Sequence, residues 1–188
     1  MIAREPAQIE VARSALVVVD VQRKLAPHVL GAEGIERRCQ ALVEAAHALQ
    51  VPVFLTEHCP QQLGVTLASI RERVIETQVI AKRHFSAMRE PALPAALSAS
   101  GRSQVLVAGM EAHVCVLQTA LGLIAAGYEC WFCADAMGSR RAEDRSIAIE
   151  RLRESGARAV STEMVLFEWL QSADHPELGR ILKLVKSY

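Results

Sequence analysis

Six short aliphatic runs, each closed by a polar residue or a glycine, limit this chain more than any other feature. The first, residues 15 to 19, reads Ala15-Leu16-Val17-Val18-Val19 with no polar interruption. A strand apolar on both faces must be covered on both, which is the pattern of a parallel sheet held between helical layers. Further runs lie at 51 to 56, 78 to 82, 105 to 108, 129 to 134 and 157 to 161. Helical spacing fills the intervals at 35 to 49, 66 to 75, 116 to 124, 142 to 155, 163 to 172 and 176 to 186, and Pro91 and Pro94 open a short helix that stops at Gly101. Residues 21 to 33 read as irregular. Strands alternating with helices predict βαβ units and an α/β, Rossmann-like three-layer sandwich: a six-stranded parallel sheet with helices on both faces. With 188 residues, 51% of them apolar, one domain over 1 to 188 is expected.

Charge excludes some partners. Lys plus Arg and Asp plus Glu number 21 each, so no basic surplus points to nucleic acid or to a membrane surface, and a small-molecule substrate is the expected partner. Five cysteines form an odd set too sparse for a disulfide scaffold, which indicates a reducing compartment. Polar residues among the first six argue against a secretory leader, and no apolar run approaches spanning length. Cytoplasmic placement is the expectation.

In doubly wound sheets ligands bind at the carboxyl ends of strands, where chain order switches direction. Asp20, Lys82 and Cys115 fall on that edge, after the first, third and fourth strands. An acid, an amine and a thiol on one rim form a nucleophile constellation: the carboxylate takes the thiol proton and the ammonium steadies negative charge. Cys115 follows the strand at 105 to 108 through a polar elbow and is expected in the first helical turn, where unpaired N–H groups favour thiolate. The competing readings are a helix cap for Asp20, a small buried hydrophobe for Cys115, and a Cys-His pair with His113. His84 and Phe85 are expected beside the pocket; His28, His47, His58 and His175 read as surface or loop residues. Loops at 22 to 33, 57 to 66, 84 to 92 and 136 to 142 should supply the pocket walls.

Two motifs carry less. Cys130 and Cys133 are three apart within a strand, so they point to opposite faces and suit neither a redox pair nor a metal site. Asp20-Val21-Gln22-Arg23-Lys24 lacks the glycines of a dinucleotide loop. No cofactor and no metal are expected.

The ordered set Leu16-Val17-Val18-Val19-Asp20-Val21-Gln22, Val79-Ile80-Ala81-Lys82-Arg83-His84-Phe85-Ser86-Ala87, Gly109-Met110-Glu111-Ala112-His113-Val114-Cys115 and Ala134-Asp135-Ala136 resembles the isochorismatase-like cysteine hydrolases over nearly the whole chain. The stretch Glu111 to Cys115 is most similar to the branch of isochorismatase-domain-containing proteins. The resemblance implies a cysteine hydrolase acting on a small amide-type carbon–nitrogen bond through a thioester. Asp20 would be the general base, Lys82 its charged partner and Cys115 the nucleophile. It also implies an oxyanion hole from the backbone N–H groups of Glu111 and Cys115, a cis peptide between Met110 and Glu111, and a homo-oligomer, dimer or tetramer; Gln22, His84, Phe85 and His113 are the expected substrate-binding residues. The Asp-x-His pair of metal-dependent nicotinamidases is replaced by Thr56-Glu57-His58, so nicotinamide specificity is not implied. The alternative is a binding or redox-sensing protein with a reactive Cys115 on the same fold.

Overall fold

The computed structural model describes residues 7 to 188; Met1 to Pro6, on which the absence of a leader was read, lie outside the described residues. The six runs form one parallel sheet: β1 (Ser14–Val19), β2 (Val53–His58), β3 (Val79–Lys82), β4 (Gln104–Met110), β5 (Glu129–Gly138) and β6 (Arg158–Val160). Their spatial order is β3-β2-β1-β4-β5-β6, every pairing parallel, so chain direction across the sheet reverses between β1 and β4. Alternate residues of β1 serve two cores. Leu16 and Val18 join Leu42, Trp169 and Ile181 from α1 (Ala32–Ala48), α7 (Thr162–Leu170) and α8 (Leu178–Val185). Ala15, Val17 and Val19 join Leu97, Leu123 and Leu152 from α4 (Ala92–Ser100), α5 (Leu117–Ala125) and α6 (Ala142–Glu154). All six β1 residues are buried, as an apolar run covered on both faces requires.

Cys130 and Cys133 fall into different cores, one on each side of the sheet. Asp135 is structural: its Oδ1 accepts the Thr162 N–H at 2.8 Å, fixing the start of α7, and its Oδ2 pairs with Arg38 at 3.2 Å.

Three expectations change. The helix over 66 to 75 shrinks to one turn, α3 (Ala68–Arg71), with another short helix, α2 (Pro60–Leu63), before it. Thr66 is bridged to Gln22, its N–H donates to Glu57 Oε1 at 2.8 Å, and the Leu67 N–H donates to the Val21 carbonyl, so tertiary bonds hold this backbone extended against its helical pattern. β5 runs on to Gly138 because its register against β4 slips between Val107↔Phe132 and Gly109↔Met137. The turn carrying Cys115 is a π turn, Ala112–Val116, ahead of α5.

Candidate active site

β1 ends where the sheet reverses direction, and the next residue, Asp20, turns into left-handed backbone at φ 51°. Its N–H donates to the Thr56 carbonyl of β2 at 3.1 Å. Lys82 closes β3, the outermost strand, opposite His58 in register. Its side chain spans the end of β2 to reach Asp20: Nζ lies 2.6 Å from Oδ2, with both side chains at 0% exposure. Nζ also donates to the carbonyls of His84 at 3.3 Å and Phe85 at 3.1 Å, so two hydrogen bonds accompany the ion pair. The Thr56 hydroxyl donates to Asp20 Oδ1 at 2.7 Å. Buried opposite charges are tolerated only when paired and bonded this fully.

The thiol arrives from the other side of the switch point. Gly109 lies flush against β1 at φ +124°, where an added Cβ would stand 2.0 Å from the Val19 carbonyl oxygen, so only glycine lets the two strands meet this closely beside Asp20. The Met110–Glu111 peptide is cis. The Val116 N–H then donates to the Glu111 carbonyl at 3.1 Å, a five-residue span that widens the turn holding Cys115. Cys115 is 7% exposed and interacts with both Asp20 and Lys82. Burial first, and the Asp20 carboxylate second, push the thiol up to about 12, with Lys82 offsetting part of the rise. The resting sulfur is therefore a protonated thiol. This corrects the expectation that the helix start favours thiolate: desolvation and an adjacent carboxylate outweigh backbone dipoles and one ammonium.

The remaining expected residues divide. The Gln22 side chain is fully buried with both ends of its amide engaged: Oε1 accepts the His58 N–H at 2.8 Å, and Nε2 donates to the carbonyls of His58 at 3.1 Å and Gly64 at 2.5 Å. Its amide, expected to contact a substrate, is bonded within the protein and braces the rim. His113 Nδ1 bonds Ser139 Oγ at 2.9 Å and Nε2 lies 3.9 Å from Asp144, which ties the ring to the α6 side. His84 Nδ1 bonds Glu90 Oε1 at 2.8 Å. Backbone N–H bonds from Arg83 and His84, with that ring, hold the partly buried Glu90 carboxyl down at about 2. Glu111 carries its side chain on Arg140 at 2.6 Å. Phe85 is half exposed at the rim.

Thr56 and His58 were missed. They lie two apart on β2, so their side chains share the face turned to Asp20, while Glu57 points away to hold Thr66. His58, expected on a surface or loop, packs its ring on Phe85 with centroids 5.2 Å apart. The usable signal was the interval: two residues at the end of the strand lying between those of Asp20 and Lys82. Because the Thr56 hydroxyl is bound to Asp20 and Glu57 faces away, this stretch does not fit a metal; among the described residues no three His, Cys, Asp or Glu side chains are grouped to hold one.

The expected walls serve two clefts. Cys59, Gln62, Arg83 and Glu90 flank Lys82 in a cleft of about 230 Å³, whereas Leu30, Met137, Ser139 and Arg141 line another of about 380 Å³.

Residues 14 to 164 match the isochorismatase domain family. Isochorismatase domain-containing protein 2 of Bos taurus is 36% identical over 174 residues, spanning 92% of this chain and 83% of that protein. The structure superposes on that of the MAR1 ribonuclease of Caenorhabditis elegans with a TM-score of 0.89 and 31% identity, covering 96% and 93% of the two chains. It also superposes on the octameric ycaC gene product of Escherichia coli, a hydrolase of unknown specificity, with a TM-score of 0.90, covering 97% and 92%; at 22% identity that likeness is of fold alone. From the sheet order through the strand-end residues to a match over most of its length, the chain belongs to the isochorismatase family.

Proposed function

We propose that this chain is a single-domain cysteine hydrolase of small amides, with Asp20, Lys82 and Cys115 as its catalytic triad. The observation that carries the reading is a fully buried Asp20–Lys82 ion pair that interacts with the Cys115 thiol at the switch point of the sheet. Thr56 occupies Asp20 Oδ1, which leaves Oδ2, beside the ammonium, as the oxygen that takes the thiol proton. Proton transfer accompanies attack: the S–H bond breaks toward Oδ2 as sulfur bonds the amide carbon, and the oxyanion rests on the N–H groups of Glu111 and Cys115. Collapse breaks the carbon–nitrogen bond, and Asp20 returns the proton to the departing amine. Water then adds to the thioester, giving its proton to Asp20, and the thiol is regenerated with release of the acid. Lys82 stays protonated, bound to two carbonyls that hold it against Asp20 throughout.

A redox sensor needs an exposed, low-pKa thiol, whereas Cys115 is buried and raised to about 12, which weighs against that alternative. The C. elegans relative is named a ribonuclease; zero net charge favours a small substrate here. Five unbridged cysteines suit a reducing cytoplasm, and assembly of several copies is part of the same proposal.

The test is a primary-amide panel read by ammonia release and intact mass. Cys115→Ala and Asp20→Asn should each lower turnover by about 10³-fold or more, with the circular dichroism spectrum unchanged. Wild type should accumulate an acyl adduct on Cys115. Unchanged turnover in either variant would overturn the mechanism.

A further inference from the structure

The turn that carries Cys115 pivots on one residue, and a neighbouring loop holds that residue by its side chain. The Glu111 carbonyl accepts the N–H groups of Val114 and Val116, each at 3.1 Å, so its main chain closes the π turn. Its carboxylate, 12% exposed, accepts from Arg140 Nε at 2.6 Å. The sheet sets up this meeting: β4 and β5 end in register at Met110↔Gly138, so Glu111 and the segment Ser139-Arg140 leave their strands as neighbours. A second tie joins the same two segments, His113 Nδ1 to Ser139 Oγ at 2.9 Å. Arg140, with its side chain 59% exposed, contributes little to either core; the bond to Glu111 is its one ion pair among the described residues.

The proposed chemistry gives this pair a use. The residue whose N–H is to receive the oxyanion also carries a largely buried carboxylate, and a negative charge so near opposes a second one forming on the substrate oxygen. A guanidinium bonded to that carboxylate cancels the opposition and fixes the residue bearing the N–H.

We infer that Arg140 is a positioning residue of this site: by holding and neutralising Glu111, it keeps the N–H groups of Glu111 and Cys115 set for the charge formed in acyl transfer. The inference rests on the cysteine-hydrolase reading for its oxyanion site. It confines the role of Arg140 to steps that place negative charge on a carbonyl oxygen. Proton transfer from Cys115 to Asp20 does not call on it.

Two reagents separate those steps. With p-nitrophenyl acetate the Cys115 sulfur bonds the carbonyl carbon, the thiol proton passes to Asp20 and the carbonyl oxygen takes the negative charge; collapse breaks the ester carbon–oxygen bond, and p-nitrophenolate leaves with its electron pair. With iodoacetamide the sulfur bonds the methylene carbon, iodide leaves, the proton passes to Asp20 and no oxyanion forms. Samples quenched in acid and read by peptide mass give a saturation constant and a maximal rate for each reaction at Cys115. In Arg140→Met the maximal rate of acetylation should fall about tenfold with its saturation constant within about twofold, while alkylation stays within about twofold on both measures. Arg140→Lys, which keeps the charge, should recover acetylation to within about threefold of wild type. Should Arg140→Met fail to fold, Arg140→Gln takes its place: it can donate to the carboxylate without cancelling its charge, so acetylation should slow by about threefold or more with alkylation unmoved. Equal acetylation in wild type and variant, or acetylation and alkylation falling together, would overturn the inference, as would a wild-type Cys115 that is alkylated but takes no acetyl group. The hydrolase reading is judged on the amide panel. Arg140-dependent acetylation with no amide turned over defeats that reading alone, and amide turnover that needs Cys115 and Asp20 while acetylation ignores Arg140 defeats this one alone.

Discussion

The two ends of the sheet are built by opposite rules. At the amino ends of β1 and β5, Arg13 pairs with Glu10 at 3.1 Å and with Glu129 on half-exposed side chains, and Ser14 Oγ donates to the Glu10 carbonyl while accepting the Trp169 indole N–H at 3.1 Å. Backbone there is extended or regular. At the carboxyl ends the charges are fully buried, Asp20 is left-handed, the turn before α5 is of π type and the β4–β5 register slips. One edge ties the molecule together with half-exposed ion pairs and a buried bond between neutral side chains. The other concentrates irregular backbone and desolvated charge on the residues proposed to act, where departures from local rules are expected.

Removing the ammonium tests this contrast most severely. Lys82→Met should leave a buried, unpaired carboxylate and cost about 3–5 kcal/mol, read by urea denaturation; a loss below about 1 kcal/mol would mean the pair is solvated and the contrast false. Gly109→Ala should cost about 3 kcal/mol, from left-handed strain and from overlap with the Val19 carbonyl, and a neutral result would show that β1 and β4 can part beside Asp20. The thiols give a smaller effect, graded by pH. Cys39, Cys115, Cys130 and Cys133 are all raised by burial above an ordinary value of 9.0, so the folded chain holds these protons more tightly than the unfolded chain does. Their stabilising contribution is complete below pH 9 and is lost as pH climbs from there toward the folded values. Thermal midpoints should therefore be level to about pH 8 and decline above about pH 9, more gently in Cys130→Ala. Last, Arg13→Ala at the opposite edge should change stability by no more than about 1 kcal/mol.

What the sequence made legible follows from the range of the forces involved. The strands declared themselves because burial on both faces leaves an uninterrupted aliphatic run, and their order placed Asp20, Lys82 and Cys115 on one edge. Local pattern was blind to contacts made at a distance. Thr66 and Leu67 carry helical spacing but are held straight by Glu57 and Val21. Gln22, adjacent in sequence to the candidate base, folds back to brace β2, and His113, two residues from the thiol, turns to Ser139. Proximity along the chain suggested pocket residues that long-range hydrogen bonds had already claimed. Thr56 shows the converse, because its hydroxyl meets Asp20 only when β2 is seated against β1. The thiol's protonation state was misjudged for a related reason: the helix start is visible in one dimension, but desolvation is not.

Lys82 grips its rim by main-chain oxygens alone, at positions 84 and 85. Evolution can therefore exchange either side chain without loosening the ammonium. A lineage keeping this anchor is free to retune what it admits at the doorway while the charged centre beneath stays as it was.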